Sequence, residues 1–303
     1  TIMVNLSKLT KYVQEQRVPL INEVSLKAAT VPYLSWQSDI KTSAKLNLLS
    51  TSVAFKSGLE CNWTGGSSQA LSQRELKTGV IKVEQAYCVR AMADYWTQYQ
   101  VRIAADPGAL PFEEDFTNGI VKAVDEAVEK AVWQGDTSSS VDNLKYFDGF
   151  LKIIDAEPDK VEVDTASLTS VYDKVKAVYA AIPAKAFERG EVQIFMGSDD
   201  YRTLVQELVT ANLYHYNPGD AGKGNEYMLP GTDIKVIGVN GLNGTHRIVA
   251  GSKYNMFYGF DIDSTDREFK FWYSEDNDEY RLRIVFNAGV QVAFPNEVVI
   301  TKA

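Results

Sequence analysis

Cysteine and histidine are scarce in this sequence of 303 residues, which contains two of each. Cys61 and Cys88 are too few to build the disulfide framework of a small secreted protein. No Cys-x-x-Cys, Cys-x-x-His or His-x-x-x-His pair occurs, so no pattern for a zinc site is present. His215 and His246 lie far from both cysteines in sequence, so only the fold could bring a cysteine–histidine nucleophile together.

Positive charge and long apolar runs are also lacking. The 31 lysines and arginines are outnumbered by 40 acidic residues, and the net charge of −9 argues against sequence-independent nucleic-acid binding. No run of 18 apolar residues predicts a membrane span, and the N-terminus has no signal-peptide core. We therefore expect synthesis in a reducing cytosol, where the Asn-x-Ser/Thr triplets at Asn5, Asn62 and Asn243 are chance matches. The start at Thr1 fits either removal of an initiator methionine or proteolytic removal of a leader.

Three local patterns resemble ligand sites and fail on closer inspection. The glycine-rich stretch 218–224 lacks the spacing and the strand–helix context of a phosphate-binding loop. Asp261, Asp263 and Asp266 lack the glycine and glutamate of a calcium-binding EF-hand loop, so we interpret them as a capped turn. The acids at 113–115 are explained by the dipole of the helix that they begin. We therefore predict no catalytic, cofactor-binding or metal-binding residue.

The most regular stretch of the sequence runs from Leu110 to Asp136 and predicts one long amphipathic helix over residues 111–134. Pro111 suits a first helical position, and Gly135 ends the pattern. The apolar residues recur at the helical period: Phe116, Ile120, Val124, Val128 and Val132, with Ala123, Ala127 and Ala131 beside them.

Residues 44–89 contain two strand-like patterns, 44–55 and 79–89, separated by the polar, turn-rich stretch 61–76. We predict that the two patterns pair as a long hairpin. A hairpin with one thin apolar face is marginal in water, so it must lie on another surface. That surface is either a neighbouring subunit, which the low apolar content favours, or an edge of the chain's own sheet. Residues 1–35 predict an extended arm that also needs a partner.

The remainder of the chain alternates helical and strand-like patterns, which predicts an α+β protein with an α/β unit at 161–261. The predicted elements are a helix at 164–182, a strand at 192–196, a helix capped by Ser198, a long loop at 212–230, strands at 234–239, 247–250 and 254–260, a hairpin at 269–286 around the acidic turn 275–279, and strands at 290–294 and 298–300.

The order of these elements resembles the major capsid proteins of tailed phages, which share the Hong Kong 97 fold. Local motifs strengthen the resemblance, and they look most like those of Bacteroidetes-infecting phages, including crAss-like ones. The motifs are LPFE at 110–113, VWQGD at 132–136, FDGFL at 147–151, SQREL at 72–76 with the strand that follows, and IFMG at 194–197 followed by Tyr201.

The resemblance implies an organisation into four parts. They are an N-terminal arm at 1–35, an extended hairpin loop at 36–100, a peripheral domain at 101–160 and 262–303 around the long helix, and an axial domain at 161–261 with residues 212–230 near the fivefold and sixfold axes. Some relatives join a loop lysine to an asparagine of another subunit. Lys56 and Lys77 lie in the corresponding loop, but no catalytic acid accompanies them, so we expect solvated lysines.

The function implied is that of a structural, non-enzymatic capsid protein. Its copies would assemble into pentamers and hexamers of an icosahedral head that encloses double-stranded DNA without sequence-specific binding. The resemblance places it in the virion after synthesis in the host bacterial cytoplasm, with scaffold, portal and decoration proteins as further partners. The alternatives are an encapsulin-like compartment shell and, from other classes, an α+β enzyme or a carbohydrate-binding module.

Overall fold

The computed structural model describes residues 12, 28–52, 68–88, 94, 97–99, 101, 112–211, 225–261 and 268–302. Its helices are α1 (Phe112–Gln134), α2 (Phe150–Ala156), α3 (Val171–Ala181), α4 (Ala184–Arg189) and α5 (Ser198–Thr210). Its strands are β1 (Ser35–Gln37), β2 (Ser43–Ser52), β3 (Ser68–Lys77), β4 (Gly79–Cys88), β5 (Val161–Val163), β6 (Val192–Gly197), β7 (Glu226–Met228), β8 (Lys235–Val239), β9 (Val249–Ser252), β10 (Met256–Phe260), β11 (Glu268–Ser274), β12 (Glu279–Val292) and β13 (Val299–Thr301).

The long strand β12 organises a five-stranded sheet. Along one side β12 pairs antiparallel with β4, and along the other it pairs first with β11 and then with β10. The short strand β1 adds to β10 in parallel and forms an edge of the sheet. Helix α1 shares one hydrophobic core with this sheet, in which Phe116 packs edge-on against Tyr87 and Phe271.

A second, six-stranded sheet has the order β5-β13-β9-β6-β8-β7. Strand β6 is buried at every position, which explains a sequence in which Gln193 is the one polar side chain. Residues from α3, α4 and α5 complete a second hydrophobic core with this sheet. Helix α1 links the two sheets. It shares a core with the five-stranded sheet, and its Trp133 contacts Phe195 of β6 in the six-stranded sheet as well as Phe150 of α2.

The predicted long helix is confirmed as α1, and its apolar stripe is buried. The helix predicted at 164–182 begins later, at Val171, because Ser170 accepts a hydrogen bond from the Asp173 N–H and acts as the N-cap. Helix α4 was not predicted. Ser198 was wrongly predicted as a cap: Gly197 holds that position, and the Ser198 hydroxyl donates to Asn240 instead.

The predicted pairing of 44–55 with 79–89 is wrong. Strand β2 pairs antiparallel with β3, from Ser43 opposite Lys77 to Ser52 opposite Ser68. The stretch interpreted as a turn-rich connection therefore supplies the second strand of the hairpin. Strand β4 belongs to the five-stranded sheet, because Ile81 and Val83 pack against the core of α1.

Near the C-terminus, the strands predicted at 280–286 and 290–294 form the single 14-residue strand β12. Sheet membership also crosses the predicted domain limits. Strand β13 lies in the six-stranded sheet although it falls in 262–303, and β10 lies in the five-stranded sheet although it falls in 161–261. The division into peripheral and axial domains stays a prediction.

The end of the predicted N-terminal arm is buried within this chain. Ala28, Val31 and Leu34 are 1–3% exposed and belong to the core around α1. The expectation that residues 1–35 need a partner to bury them is therefore wrong for residues 28–35. Of residues 1–27 the structure describes Tyr12 alone, which is helical.

Candidate assembly surfaces

The hairpin β2–β3 has two chemically different faces over its described side chains. Alternate residues point to opposite faces of a strand, so the cross-strand pairs separate into two sets. The inner set is buried or half-buried and comprises Ala44, Leu46, Leu48, Arg74 and Leu76. The outer set is exposed and comprises Lys45, Asn47, Gln73, Glu75 and Lys77, with Gln73 donating to Asn47 at 2.9 Å.

The inner face of the hairpin lies on the chain's own body. Leu46, Leu48 and Leu76 form a small core with Ile40 and Ala293, and Leu76 is completely buried. The expectation that a neighbouring subunit is the favoured support is therefore wrong for this half of the hairpin. The strand residues at 49–52 and 68–72 continue toward the tip of the hairpin.

Polar contacts close the base of the hairpin. The Thr78 N–H donates to the Thr42 carbonyl at 3.0 Å, and Gln291 Nε2 donates to the Glu75 carbonyl at 2.7 Å. On the outer face, a hydrogen bond from Ser43 and the nearby Lys77 lower the pKa of the Glu75 carboxyl group. These contacts hold the exposed polar face in a defined position.

An ion pair joins the inner face of the hairpin to α2. The Arg74 guanidinium contacts Glu157, which caps the C-terminus of α2, and each side chain is about one quarter exposed (22% and 24%). Beside Arg74 lies a cavity of about 650 Å³ between the strand β3 and the loop that follows α1, with Tyr146 and Asp148 among its lining residues.

The loop after α1 is held by one lysine between two aspartates. Lys152 Nζ lies 2.6 Å from Asp136 and 2.7 Å from Asp148. The hydrogen bond from Lys152 lowers the pKa of Asp136 to about 2. Gly149 is needed here because a Cβ atom would lie 2.6 Å from the backbone N of Gly135. The FDGFL motif therefore folds tightly against the end of α1.

A buried carboxylate connects the N-terminal segment to α1. Glu129 accepts the Thr30 N–H at 2.9 Å and also the Thr30 hydroxyl, while Trp133 Nε1 donates to Thr30 Oγ1 at 2.8 Å. Desolvation raises the pKa of Glu129, which is 3% exposed. Gly241 also donates its N–H to Glu129, so three parts of the chain meet at this group.

Strand β4 leaves one edge of the five-stranded sheet without a partner strand in the part of the chain that the structure describes. Its outer face carries Val80, Lys82 and Glu84, and Val80 is 56% exposed. Between β4 and α1 lies a groove of about 260 Å³ lined in part by Ala123 and Ala127. Exposed strand edges readily pair with other chains, so this edge is a candidate contact surface.

The residues considered for chemistry do not converge. His246 contacts Asp200 at 2.9 Å on the surface, and Asp200 raises its pKa. Cys88 is exposed, and Lys77 is exposed beside Glu75. Asp261 is buried. His215, Cys61, Lys56, Asp263, Asp266 and the stretch 218–224 lie outside the described residues.

In the described part of the chain, no three or more His, Cys, Asp or Glu side chains form a group that could hold a metal ion. Among the same residues, no helix is long and apolar enough to cross a membrane. The acids Asp199 and Asp200 lie in the first turn of α5.

Sequence reasoning missed two of the contacts described above. Arg74 and Glu157 are 83 positions apart, and Thr30 and Glu129 are 99 positions apart. No local pattern signals such pairs. Glu129 shares a helix face with Asp125 and Glu126, so nothing in the sequence marked it as buried.

No family description and no curated protein matches the sequence. Solved structures match the fold along nearly the whole chain. A chain of the satellite phage P4 procapsid, which includes the size determination (Sid) protein, matches with a TM-score of 0.62 at 11% identity, covering 100% of this chain and 98% of that one. The capsid of an empty GTA particle matches with a TM-score of 0.59 at 12% identity, covering 91% and 89%.

A virus-like particle from Pyrococcus furiosus also matches, with a TM-score of 0.55 at 9% identity, covering 95% of this chain and 98% of that one. At these identities the similarity shows the fold. The chain therefore has the mixed helix-and-sheet Hong Kong 97-type fold, as predicted.

Proposed function

We propose that this chain is the structural major capsid protein of a phage and that its copies assemble into a closed icosahedral shell. The observation that carries this proposal is the match of the whole chain to subunits of assembled particles. The match extends over 100% of this chain in the P4 procapsid, so it includes the hairpin as well as the two sheets.

The surfaces of the described residues support assembly. Trp36 at the β1 edge and Val80 at the β4 edge are 61% and 56% exposed, and apolar side chains of this kind are commonly buried at subunit contacts. The hairpin adds an exposed polar face supported from beneath by the chain's own core. Many such contacts, each weak alone, give a stable shell because every subunit is held by several neighbours.

The proposed division of labour follows the predicted domains. Residues 1–35 act as an arm whose end is anchored at Thr30, residues 36–100 form the loop that reaches a neighbour, and residues 161–261 form the axial domain. In pentamers and hexamers, residues 212–230 would lie near the fivefold and sixfold axes. The peripheral domain at 101–160 and 262–303 supplies the contacts between these rings.

The net charge of the chain fits a shell that encloses DNA without binding it tightly. A net charge of −9 disfavours tight binding to phosphates, so packaged DNA stays free to leave. We propose a non-enzymatic role in the virion after synthesis in the host bacterial cytoplasm. Scaffold, portal and decoration proteins are the expected further partners, and hosts among the Bacteroidetes fit the sequence motifs.

A second candidate function is that of a compartment shell that contains no DNA, and it needs a separate test. The fold also matches a virus-like particle from Pyrococcus furiosus, but the matches to a phage procapsid and a GTA capsid make the phage capsid the favoured function. The two functions share the fold and differ in the contents of the particle, because the fold positions subunits without selecting what they enclose.

The decisive experiment is electron microscopy of the purified protein at increasing concentration. We expect closed particles of uniform diameter. DNase-resistant DNA in particles from infected cells would support the phage capsid, and a protein cargo without DNA would support the compartment.

A charge reversal on the hairpin's outer face, Lys45→Glu with Lys77→Glu, should lower the yield of particles at least threefold, because it changes a face that meets a neighbour. The matched control, Lys176→Glu with Lys185→Glu on the exposed surfaces of α3 and α4, keeps the charge change but not the position. A folded protein that stays monomeric at every concentration would refute the proposed function.

A further inference from the structure

A hydrogen bond from Gln291 to the Glu75 carbonyl fixes the base of the hairpin. Beyond this base, two kinds of contact attach the hairpin to the body, and only one of them depends strongly on direction. On one side, Leu46 and Leu48 pack on a small apolar core that includes Ala293. Apolar burial depends little on direction, so this contact permits the hairpin to rotate or slide. On the other side, the Arg74 guanidinium meets the Glu157 carboxylate, and this type of contact has a fixed geometry.

Arg74 has an unusual position for a charged residue. It lies opposite Leu46 on the inner face, among the otherwise apolar described residues of that face. Its Nε atom is buried without a hydrogen-bond acceptor, so the Glu157 contact is the polar compensation for placing the guanidinium there. Glu157 itself ends a helix whose Phe150 and Ile154 are completely buried, so it is a rigid anchor.

Space is available for the hairpin to move if this contact is lost. The cavity of about 650 Å³ beside Arg74 separates β3 from Tyr146, Phe147 and Asp148 of the loop after α1. The cavity is partly open to solvent, so β3 has room to move on that side. The ion pair between Arg74 and Glu157 joins the hairpin to α2 beside this cavity.

We infer that Arg74 and Glu157 form a latch that sets the angle at which the hairpin leaves the body. Through that angle the latch selects the geometry in which the hairpin meets the next copy. Arg74 is a positioning residue, since it acts on assembly through the orientation of the hairpin. The part of the inference that concerns neighbouring copies rests on the proposed capsid function, whereas the orientation itself is a property of the single subunit.

The orientation is tested in dissociated subunits by measuring a distance between spin labels. The labels are placed at Asn47→Cys on the hairpin and Ala180→Cys on α3, with Cys61 and Cys88 changed to serine. In the unchanged latch we expect one narrow distance distribution. Arg74→Glu should widen it at least twofold, because two acidic groups then face each other.

The reciprocal exchange provides the internal control. Arg74→Glu combined with Glu157→Arg restores an opposite-charge pair and should restore the narrow distribution, which a merely structural loss of Arg74 would not do. Glu157→Gln, nearly isosteric, covers the case in which Arg74→Glu fails to fold. The inference is overturned if folded Arg74→Glu and Glu157→Gln keep the original width, or if the exchange is no narrower than Arg74→Glu.

The consequence for assembly is measured separately as the diameter distribution of particles by electron microscopy. Arg74→Glu should produce mixed diameters and open sheets, and the double exchange should return a single diameter. The Asp173→Lys variant, which breaks the exposed Lys176 pair on α3, should leave the diameters unchanged. Absence of particles from the unchanged protein would contradict the capsid function alone, because the distance measurement decides the latch independently.

Discussion

A methyl group added at Gly259 would press on the ends of two buried side chains at the base of the hairpin. A Cβ atom there would lie 2.8 Å from Leu76 Cδ2 and 2.9 Å from Ile40 Cδ1, well inside van der Waals contact. Both side chains are at most 2% exposed, so they have little room to adjust. Overpacking of this kind costs about 1–3 kcal/mol, and we expect Gly259→Ala to lower the free energy of unfolding by that amount.

Leu76→Ala creates the opposite defect at the same place. Removing a fully buried leucine side chain costs about 2–5 kcal/mol, depending on how far the surroundings collapse. In the double variant the added methyl group enters the space that the leucine has left. The clash with Leu76 disappears, and Ile40 gains space into which it can shift away from the new methyl group. The two effects should therefore fall short of additivity by about 1–3 kcal/mol.

Urea unfolding of the unchanged protein, both single variants and the double variant measures this coupling. Gly119→Ala on α1 is the matched control, because a Cβ atom there meets nothing within 4 Å. The control should be neutral or stabilising by about 0.5–1 kcal/mol, since alanine favours a helix more than glycine. Additivity of the Gly259 and Leu76 variants within about 0.5 kcal/mol would show that the two side chains do not meet, and the described packing of the hairpin would be wrong.

Two titrations test the surface electrostatics. NMR should place the pKa of His246 above 6.5, and Asp200→Asn should return it toward that value; because the folded pKa is raised, the stabilisation is complete below about pH 6.5 and is lost as pH rises through the folded pKa. Asp136 should titrate at about 2, and Lys152→Met should raise this value. Its stabilisation is present above about pH 3.9 and is lost as pH falls through 2, so an unshifted Asp136 would contradict the ion pair.

Local periodicity was sufficient for the elements whose burial depends on one repeating face. Helix α1 was predicted within one residue of its bounds because its apolar residues recur every three or four positions and its ends carry proline and glycine. Strand β6 was recognised from five successive residues that are apolar apart from one glutamine, and the structure buries all five. The order of these elements and their short motifs also led to the correct fold.

Strand pairing was not predictable in the same way. The residues of β3 show no alternation of apolar side chains, since Ala70 and Leu71 are adjacent and Leu76 follows five positions later. Strand β4 shows a clear alternation of apolar and polar residues. That pattern predicts that one face is buried, but it does not identify the element that covers this face. Its cover is α1 and its partner is β12, nearly 200 positions further along.

The sequence alone determined the strongly periodic elements, such as α1 and β6, and that the composition suits a large globular chain without a zinc or phosphate motif. Only the tertiary structure decided that the hairpin rests on its own body, that residues 28–35 enter the core, and that Arg74 faces Glu157. The physical reason is that periodicity reports the burial of a face, whereas the identity of the covering surface depends on contacts between residues tens to hundreds of positions apart.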